Sequence, residues 1–470
     1  MVIGAIADTL GRGIEGVTDA VSETFFEPVI RLGVTGLARS GKTVFITSLV
    51  ANLLDRGRMA GLEAAASGRI EAAFLQPQPD DTVPRFEFEN HLSAMTGPEP
   101  FWPDSTRSVS ELRVSLRVRP TGLLSGLQGP RTVHLDIVDY PGEWLLDLGL
   151  LDMDFARWSE QALSKADARS EGVAYLAQVR EMDTQAKLDE VAAKALADGW
   201  TAYLRAARDA GFSDCTPGRF LLPGDLEGSP ALTFAPLPPG ATPRGSLARE
   251  FQRRFEAYKS QVVKPFFRSH FSRIDRQVVL VDALGAIHSG PQALEDLRQA
   301  LSSILGAFRP GQNTFLTSIL GRRVDKILFA ATKADHLHHE QHARLQAIIE
   351  ALVSDARRRA DFSGATTGAM AIASLRATVE ETRRAGGKDL GVVRGRLLAD
   401  GRQAALHPGD LPADPAALLS PARSGAEAWL DAEYDVMRFA PAPLSLRNGE
   451  GPPHIRLDRA AEFLIGDKLR

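Results

Sequence analysis

The chain has 470 residues, more than one ordinary domain needs, so two or three modules are expected. Its 55 basic and 59 acidic side chains nearly cancel, which excludes the strong positive field of a general nucleic-acid binder and predicts no specific nucleic-acid partner. One cysteine, Cys215, excludes an internal disulfide framework and favours a cytoplasmic location.

Residues 1–28 carry apolar side chains at steps of three or four, which predicts an amphipathic helix. The opposite face is mainly acidic, which argues against docking on an anionic lipid surface. We therefore expect this helix to pack on the body of the protein, and peripheral association with a membrane or a partner stays open.

The next predicted elements alternate between strand and helix. A buried strand is expected at 29–35 and a helix at 44–54, followed by a long, polar, proline-rich connection over 57–107. Two strands at 111–118 and 131–139 are close enough in the sequence to form an antiparallel pair.

Residues 143–275 read as a helical block that interrupts this alternation. Strand and helix then alternate again, with strands at 276–284, 326–331 and 369–373 and helices near 291–306 and 338–358. This order predicts a doubly wound, mostly parallel α/β sheet over 29–142 and 276–375, with 143–275 as a helical insertion domain. Beyond it, 376–470 is expected to form an extension with a hairpin turning at Asp400 and Gly401 and a final helix packed on the sheet.

The segment GLARSGKTV satisfies G-x-x-x-x-G-K-[ST] between the first strand and the first helix. In this motif the backbone amides cradle phosphates, the lysine reaches the β- and γ-phosphates, and the threonine hydroxyl ligates Mg²⁺. The nucleotide-binding residues predicted here are Gly36, Arg39, Ser40, Gly41, Lys42, Thr43 and Val44.

A second motif, Asp139-Tyr-Pro-Gly142, ends the strand at 131–139. An aspartate at that position is expected to help to hold Mg²⁺ beside the phosphate loop, and the Gly142 amide to meet a γ-phosphate.

A third motif, Thr332-Lys333-Ala334-Asp335, follows the strand at 326–331. A carboxylate at Asp335 can accept two hydrogen bonds from the ring N–H and the exocyclic amine of guanine, whereas adenine offers no such pair of donors. The apolar stem of Lys333 is expected to lie along the base. The three motifs together predict GTP and GDP as ligands, with Mg²⁺.

These motifs, together with FWPDSTRSVSEL, DYPGEWLLDL, VVLVDAL, TKADH and PHIRLDRAAEFLIGDKL, resemble the bacterial YcjX family of GTPases over nearly the whole chain. The resemblance implies a Ras-like fold with a helical insertion, in a cytoplasmic, stress-associated GTP-binding protein of a family often filed as predicted ATPases. It also implies an effector-loop threonine that binds Mg²⁺ and senses the γ-phosphate, for which Thr106 fits best and Ser105 is the alternative. Ser374 and Leu375 fall where the family's relatives contact the base.

The chain departs from the Ras-like pattern directly after D-x-x-G, where Glu143 replaces the glutamine that orients the attacking water. Because its charge opposes the γ-phosphate, we expect slow hydrolysis of GTP, with Lys42, Thr106 and Glu143 as the catalytic candidates. Arg39 and Arg107 are candidates for a cationic finger.

The rival interpretations are an ATPase of the same fold and a nucleotide-dependent scaffold with negligible turnover. In each case the partner of the insertion, a protein effector or an activating factor, stays unidentified.

Two further patterns have ordinary interpretations. His338 and His342 share a helical face, as metal ligands can, yet we expect a solvated helix start. In the basic and aromatic stretch over 253–276, the aromatic side chains are expected to pack inward.

Overall fold

The computed structural model describes most of the chain. The described residues are 27–37, 39–104, 108–121, 129–270, 273–307, 324–362, 365–424 and 437–470. Nearly all of the predicted N-terminal helix, and Ser105, Thr106 and Arg107 of the predicted effector loop, lie outside these residues.

A seven-stranded sheet forms the centre of the molecule, in the spatial order β2-β3-β4-β1-β5-β6-β7. Its strands are β1 (Val29–Gly36), β2 (Ile70–Gln76), β3 (Ser110–Val118), β4 (Arg131–Asp139), β5 (Arg276–Val281), β6 (Lys326–Ala331) and β7 (Thr366–Ala371). Strands β4, β1, β5, β6 and β7 pair in parallel, whereas β3 runs antiparallel to both β2 and β4. The predicted α/β class, with a mostly parallel sheet and one antiparallel strand, is therefore confirmed.

Helices cover both faces of the sheet. They are α1 (Lys42–Leu54), α2 (Glu63–Ala66), α3 (Phe88–Thr96), α4 (Glu143–Leu146), α5 (Phe155–Asp167), α6 (Val173–Arg180), α7 (Glu190–Asp209), α8 (Gly218–Leu221), α9 (Leu247–Ala257), α10 (Lys264–Ser269), α11 (Ala283–His288), α12 (Pro291–Ala307), α13 (His342–Phe362), α14 (Ala416–Ser424) and α15 (Leu457–Ile465). A π-helical segment, Tyr258–Val263, joins α9 to α10.

Successive residues of the central strands point to two different cores. In β5, Val279 and Val281 join one apolar cluster, while Val278 and Leu280 join the cluster on the opposite face. This is the period-two alternation of a strand that is buried on both sides. Helices α1 and α15 cover the second face, and the apolar side of α15 is buried there as the sequence predicted.

The regular elements described within 143–275 are helical, and they pack on the first face of the sheet. Trp158, Trp200 and Phe255 of these helices belong to the same apolar cluster as Val279 of β5 and Phe329 of β6. The insertion thus shares its core with the sheet, and its division from the sheet as a domain stays a proposal. In the basic and aromatic stretch, Phe255, Tyr258 and Phe267 are fully buried, as predicted.

The connection over 57–107 is more regular than the sequence suggested, because it contains α2, β2 and α3. Strand β2 lies at the edge of the sheet against β3, with half-exposed side chains on both faces. Its sequence, IEAAFLQ, lacks the alternation of a half-buried strand, which explains why the pattern did not reveal it.

A second, three-stranded sheet lies in the C-terminal part, formed by β8 (Thr378–Ala385), β9 (Lys388–Arg396) and β10 (Gln403–Leu406). Strands β9 and β10 pair antiparallel around the turn predicted at Asp400 and Gly401, whereas β8 was not predicted. Across the described ranges, the structure contains no helix that is both long and apolar enough to cross a membrane.

Candidate functional site

The phosphate-loop motif connects β1 to α1 in a conformation that its glycines permit. Gly41 has φ +80° directly before α1, a left-handed geometry that glycine adopts without strain. A Cβ added at Gly36 would lie 2.1 Å from the Ser40 hydroxyl oxygen, so the absence of a side chain allows the loop to fold back on the strand. The Lys42 ammonium donates to the Gly36 carbonyl across 3.3 Å, which directs it over the loop.

The start of α1 points into a cavity of about 350 Å³, a volume that fits a small-molecule ligand. The phosphate-loop residues that line it are Arg39, Ser40, Gly41, Lys42, Thr43 and Val44. The Ser40 hydroxyl is buried and has no hydrogen-bond partner among the described residues. A helix N-terminus, a lysine and an unsatisfied hydroxyl together suit a phosphate group.

The TKAD motif reaches the same cavity from the end of β6. Thr332, Lys333 and Asp335 line it, and the Asp335 Oδ2 accepts a hydrogen bond from the Ala377 amide across 2.8 Å. The Thr378 hydroxyl also donates to the Asp335 carbonyl, so the start of β8 holds this turn in place. The Lys333 ammonium donates to the Asp282 carboxylate at the end of β5.

The loop after β7 completes the far end of the cavity, where Ser374 and Leu375 contribute to its lining. The Ala334 amide donates to the Ile372 carbonyl across 3.0 Å, which ties this loop to the TKAD turn. Three segments that are distant in the sequence thus meet at the carboxyl ends of β1, β6 and β7, the edge of a parallel sheet where ligands bind.

The DYPG motif lies behind the phosphate loop instead of lining the cavity. Asp139 ends β4, pairs in register with Val34 of β1 and is 1% exposed. A Cβ added at Gly142 would lie 2.2 Å from the Gly36 carbonyl oxygen, so the two motifs touch backbone to backbone. Gly36, Asp139, Gly142 and Glu143 are absent from the cavity lining.

Glu143 begins α4 and is 6% exposed. Its Oε2 atom has no hydrogen-bond partner within the described ranges. The neighbouring α8 packs on it so closely that a Cβ at Gly218 would lie 2.3 Å from the Glu143 carbonyl oxygen. The glutamate therefore lies between the phosphate loop and the insertion.

Several lining residues were not predicted from the sequence. They are Leu37, Trp102, Pro103, Asp104, His336, Ala373, Leu398, Arg438 and Phe439. The Trp102 indole N–H donates to the Phe439 carbonyl across 2.7 Å, and the Phe439 ring meets His336 edge-on at 5.3 Å. Burial lowers the pKa of His336, which favours its neutral ring. The aromatic pair in FWPD was the available signal for Trp102, whereas the residues around Phe439 carry no motif.

The histidine run differs from the prediction of a solvated helix start. His338 and His342 are 7% and 3% exposed, and His342 lies with its Nε2 atom 3.3 Å from the Leu337 carbonyl. The side chains near His338 are instead His339, Glu340 and Glu380. The helix begins only at His342, because a 3₁₀ turn at His339–Gln341 precedes it.

The donor chemistry around the phosphate loop fits Mg²⁺, which the fold implies. The Thr43 side chain lines the cavity at the first turn of α1, with its hydroxyl 3.5 Å from the Asp104 carbonyl oxygen, and Asp139 ends the strand beside β1. Hydroxyl and carboxylate oxygens are the hard ligands that Mg²⁺ prefers. The third predicted ligand, Thr106, lies outside the described residues.

The sheet topology and the phosphate loop define a P-loop protein with a Ras-like fold. A model of the YcjX-like family, DUF463, matches residues 30–469, and the chain belongs to this family. A relative named "Ras-like GTPase YcjX" from Escherichia coli (strain K12) is 39% identical over 457 residues, which cover 94% of this chain and 96% of that protein. A relative of the same name from Shewanella oneidensis is 33% identical over 471 residues, covering 94% of each chain.

Proposed function

We propose that the chain binds GTP and GDP with Mg²⁺, hydrolyses GTP slowly, and acts as a cytoplasmic switch that signals to its helical insertion. The observation that carries this proposal is the single cavity that the phosphate loop, the TKAD turn and the loop after β7 line together. A phosphate-binding end and a base-binding end on one sheet edge match the two ends of a nucleotide. The relatives named Ras-like GTPase support guanine as the base.

Asp335 selects the base in this proposal. A carboxylate offers about four lone-pair sites, so the bond from the Ala377 amide leaves capacity for the ring N–H and the amine of guanine. Adenine lacks this pair of donors. Its binding would leave part of the buried Asp335 carboxylate without hydrogen bonds, which disfavours adenine. Because the Ala377 amide and the Thr378 hydroxyl fix the turn, the carboxylate is oriented before the nucleotide arrives.

Lys42 and the first turn of α1 hold the phosphates. The Lys42 ammonium exchanges its 3.3 Å contact with the Gly36 carbonyl for the β- and γ-phosphate oxygens, a stronger charge-assisted bond. Thr43, Asp139 and an effector-loop hydroxyl at Thr106 or Ser105 would hold Mg²⁺, which would neutralise further phosphate charge. Water attacks the γ-phosphorus in line, the bond to the bridging oxygen breaks, and GDP and phosphate form.

Slow turnover is proposed because Glu143 is poorly placed to orient that water. The residue follows Gly142 but does not line the cavity, and its carboxylate charge opposes the γ-phosphate. The same placement favours a second candidate function, a nucleotide-dependent scaffold that binds GTP with negligible turnover.

The route from nucleotide to insertion starts at two contacts. Gly142 touches the Gly36 carbonyl, so a γ-phosphate that pulls on the Gly142 amide displaces the start of α4. Arg39 of the phosphate loop also pairs with Asp209 at the end of α7 across 3.4 Å. A conformational change at the phosphate end of the cavity thereby reaches two insertion helices, α4 and α7. Their surface is available to a protein effector or an activating factor.

The rate of GTP hydrolysis by the Lys42→Ala variant distinguishes the proposed GTPase from a nucleotide-dependent scaffold. We expect the variant to lose about 100-fold or more of the wild-type rate, since a cation at the transferred phosphate is removed. Lys187→Ala, which removes an exposed lysine of the insertion, is the matched control. Wild-type protein that binds GTP without measurable turnover supports the scaffold, and a rate that Lys42→Ala leaves unchanged refutes the site.

A further inference from the structure

Four side chains with metal-binding chemistry converge beside the TKAD turn, outside the nucleotide cavity. His338 and His339 follow the turn directly, Glu340 comes next, and Glu380 faces them from β8. One ligand atom from each of His338, His339 and Glu340 can be chosen so that all three lie within 4.8 Å of one another. The cluster thus joins a loop to a strand that is distant in the sequence.

The distances within the cluster are those of side chains that share a small space. His338 Nδ1 lies 3.5 Å from the Glu340 Oε2, and His338 Nε2 lies 4.0 Å from the Glu380 Oε2. His339 Nδ1 is 2.5 Å from the same Glu380 oxygen, and the two imidazole rings are 4.3 Å apart between centroids. Ligand atoms around a tetrahedral Zn²⁺ lie about 3.4 Å from each other, so small side-chain rotations bring His338, His339 and Glu340 onto one ion. Glu380 faces the other nitrogen of His338 and contacts His339, so it lies beside these three ligands and is not one of them.

The buried ring of His338 is the feature that points to a bound ligand. Its side chain is 9% exposed, and its Nδ1 atom is buried with no hydrogen-bond partner in the part of the chain that the structure describes. The fold makes room for this ring, because a Cβ at Gly391 of β9 would lie 2.6 Å from the His338 Cγ. A buried imidazole nitrogen normally finds a partner, and a metal ion is one that satisfies it.

We propose that His338, His339 and Glu340 bind one divalent cation of borderline softness, of which Zn²⁺ is the representative, with Glu380 as the carboxylate that positions His339. Two neutral imidazoles and one carboxylate match its N/O preference and leave a fourth position for water. Mg²⁺ and Ca²⁺ are disfavoured, because both prefer oxygen ligands throughout. This ion is distinct from the Mg²⁺ of the nucleotide, and the inference does not depend on the proposed function.

The bound ion would strengthen the link between the turn after Asp335 and β8, because it fixes the His339 ring that contacts the Glu380 carboxylate. These are the two segments whose contacts orient Asp335, through the Ala377 amide and the Thr378 hydroxyl. The Arg376 guanidinium already holds the other Glu380 oxygen, Oε1, at 3.1 Å, which fixes this carboxylate against His339. The ion therefore stabilises the TKAD turn against separation from the C-terminal sheet.

Titration of the tag-free, full-length protein with Zn²⁺ against a chromophoric chelator tests this site. We expect one equivalent to bind, and His339→Ala and Glu340→Gln each to weaken binding at least tenfold. Both side chains are largely exposed, so these variants are expected to fold. His288→Ala removes an exposed histidine on α11 and serves as the matched control.

Thermal unfolding and Co²⁺ substitution give two further readouts. Zn²⁺ is expected to raise the Tm of the wild type and of His288→Ala but not of His339→Ala, since binding to the folded state shifts the unfolding equilibrium. Co²⁺ is expected to give the intense visible absorption of a tetrahedral site. The proposal is overturned by the absence of stoichiometric binding, or by binding that His339→Ala and Glu340→Gln leave unchanged.

Discussion

At the scale of single residues, Asp335 is the side chain on which the proposed base preference depends. It is 3% exposed, lines the cavity and is held from behind by the Ala377 amide. An asparagine can keep that bond through its carbonyl oxygen, but its NH₂ group replaces an acceptor with a donor. The substitution therefore changes what the base meets while it preserves the turn.

We expect Asp335→Asn to weaken GDP binding by about 10- to 100-fold, the effect of about 1.5–3 kcal/mol from losing a charged hydrogen-bond acceptor. Equilibrium binding of a fluorescent GDP analogue measures it. Asp410→Asn, at an exposed aspartate of the C-terminal part, is the control and should bind as the wild type does. An unchanged affinity and base preference in Asp335→Asn would show that the base lies elsewhere.

Asp147 gives a prediction about pH. Burial raises the pKa of this carboxyl to about 7, although the Tyr258 hydroxyl and the Gly218 amide both donate to it. The folded state therefore keeps a proton that the unfolded state loses near pH 4, and the wild type loses stability as the pH rises from about 4 to about 7.

Asp147→Asn removes this titration. Relative to the variant, we expect the wild type to lose roughly 3 kcal/mol of unfolding free energy between pH 4 and pH 7. Urea unfolding of both proteins across that range gives the difference directly. Parallel stability curves for the two proteins would mean that the carboxyl is already ionised in the folded state at pH 4.

At the scale of elements, the phosphate loop and the DYPG turn are in close backbone contact. Gly142 has φ −66° and ψ −26°, which alanine adopts freely, so a substitution acts only through the 2.2 Å clash with the Gly36 carbonyl oxygen. Neither backbone can move without shifting β1 or α4.

Gly142→Ala should reduce the unfolding free energy by about 1–3 kcal/mol, the usual effect of overpacking, and should also weaken binding of GTP. Denaturant unfolding and nucleotide binding measure the two effects. Gly149→Ala is a matched control, because a Cβ there meets no atom within 4 Å. Equal unfolding free energies and equal GTP affinities of Gly142→Ala and Gly149→Ala would contradict the backbone contact.

The sequence was informative for elements with strong periodicity. Strands β1, β4, β5 and β6 are apolar runs that begin or end at motifs, and each appears within a few residues of its predicted place. Strands β2 and β8 were missed, since most of their side chains are exposed or half-exposed. They are stabilised by pairing with β3 and β9. Pairing partners far along the chain leave no local signal.

The distance along the chain between contacting segments also decides which site residues could be predicted from the sequence. The phosphate loop and TKAD are contiguous motifs, so their residues were identified together. His336, Arg438 and Phe439 reach the cavity only through tertiary packing of the C-terminal part, and the burial of His338 follows from the room that Gly391 leaves. Short-range patterns hold no information about such contacts.

At the scale of the whole molecule, the insertion and the sheet share one apolar core, which is the packed path that the proposed switch would use. The Arg39–Asp209 pair adds little stability of its own, because both side chains are exposed, but it links the loop to α7. The proposed switch would therefore change the local stability of the insertion more than its fold.

Hydrogen exchange can detect that change. Between the GDP state and a state with a non-hydrolysable GTP analogue, we expect exchange rates to differ about threefold or more at 143–152 and at 205–218. Residues 457–465 on the opposite face serve as an internal reference. Identical exchange throughout 143–275 in the two states would contradict signalling to the insertion.

The central claim is that one cavity binds a guanine nucleotide through the phosphate loop and TKAD. Displacement of a fluorescent GDP analogue from the wild-type protein, by GTP and by ATP in parallel with Mg²⁺ present, tests it most directly. GTP is expected to displace the analogue at a concentration at least 100-fold lower than ATP does, because only guanine satisfies the Asp335 carboxylate. Displacement by ATP at the same concentration as GTP would contradict the claim, because the site would then not distinguish guanine from adenine.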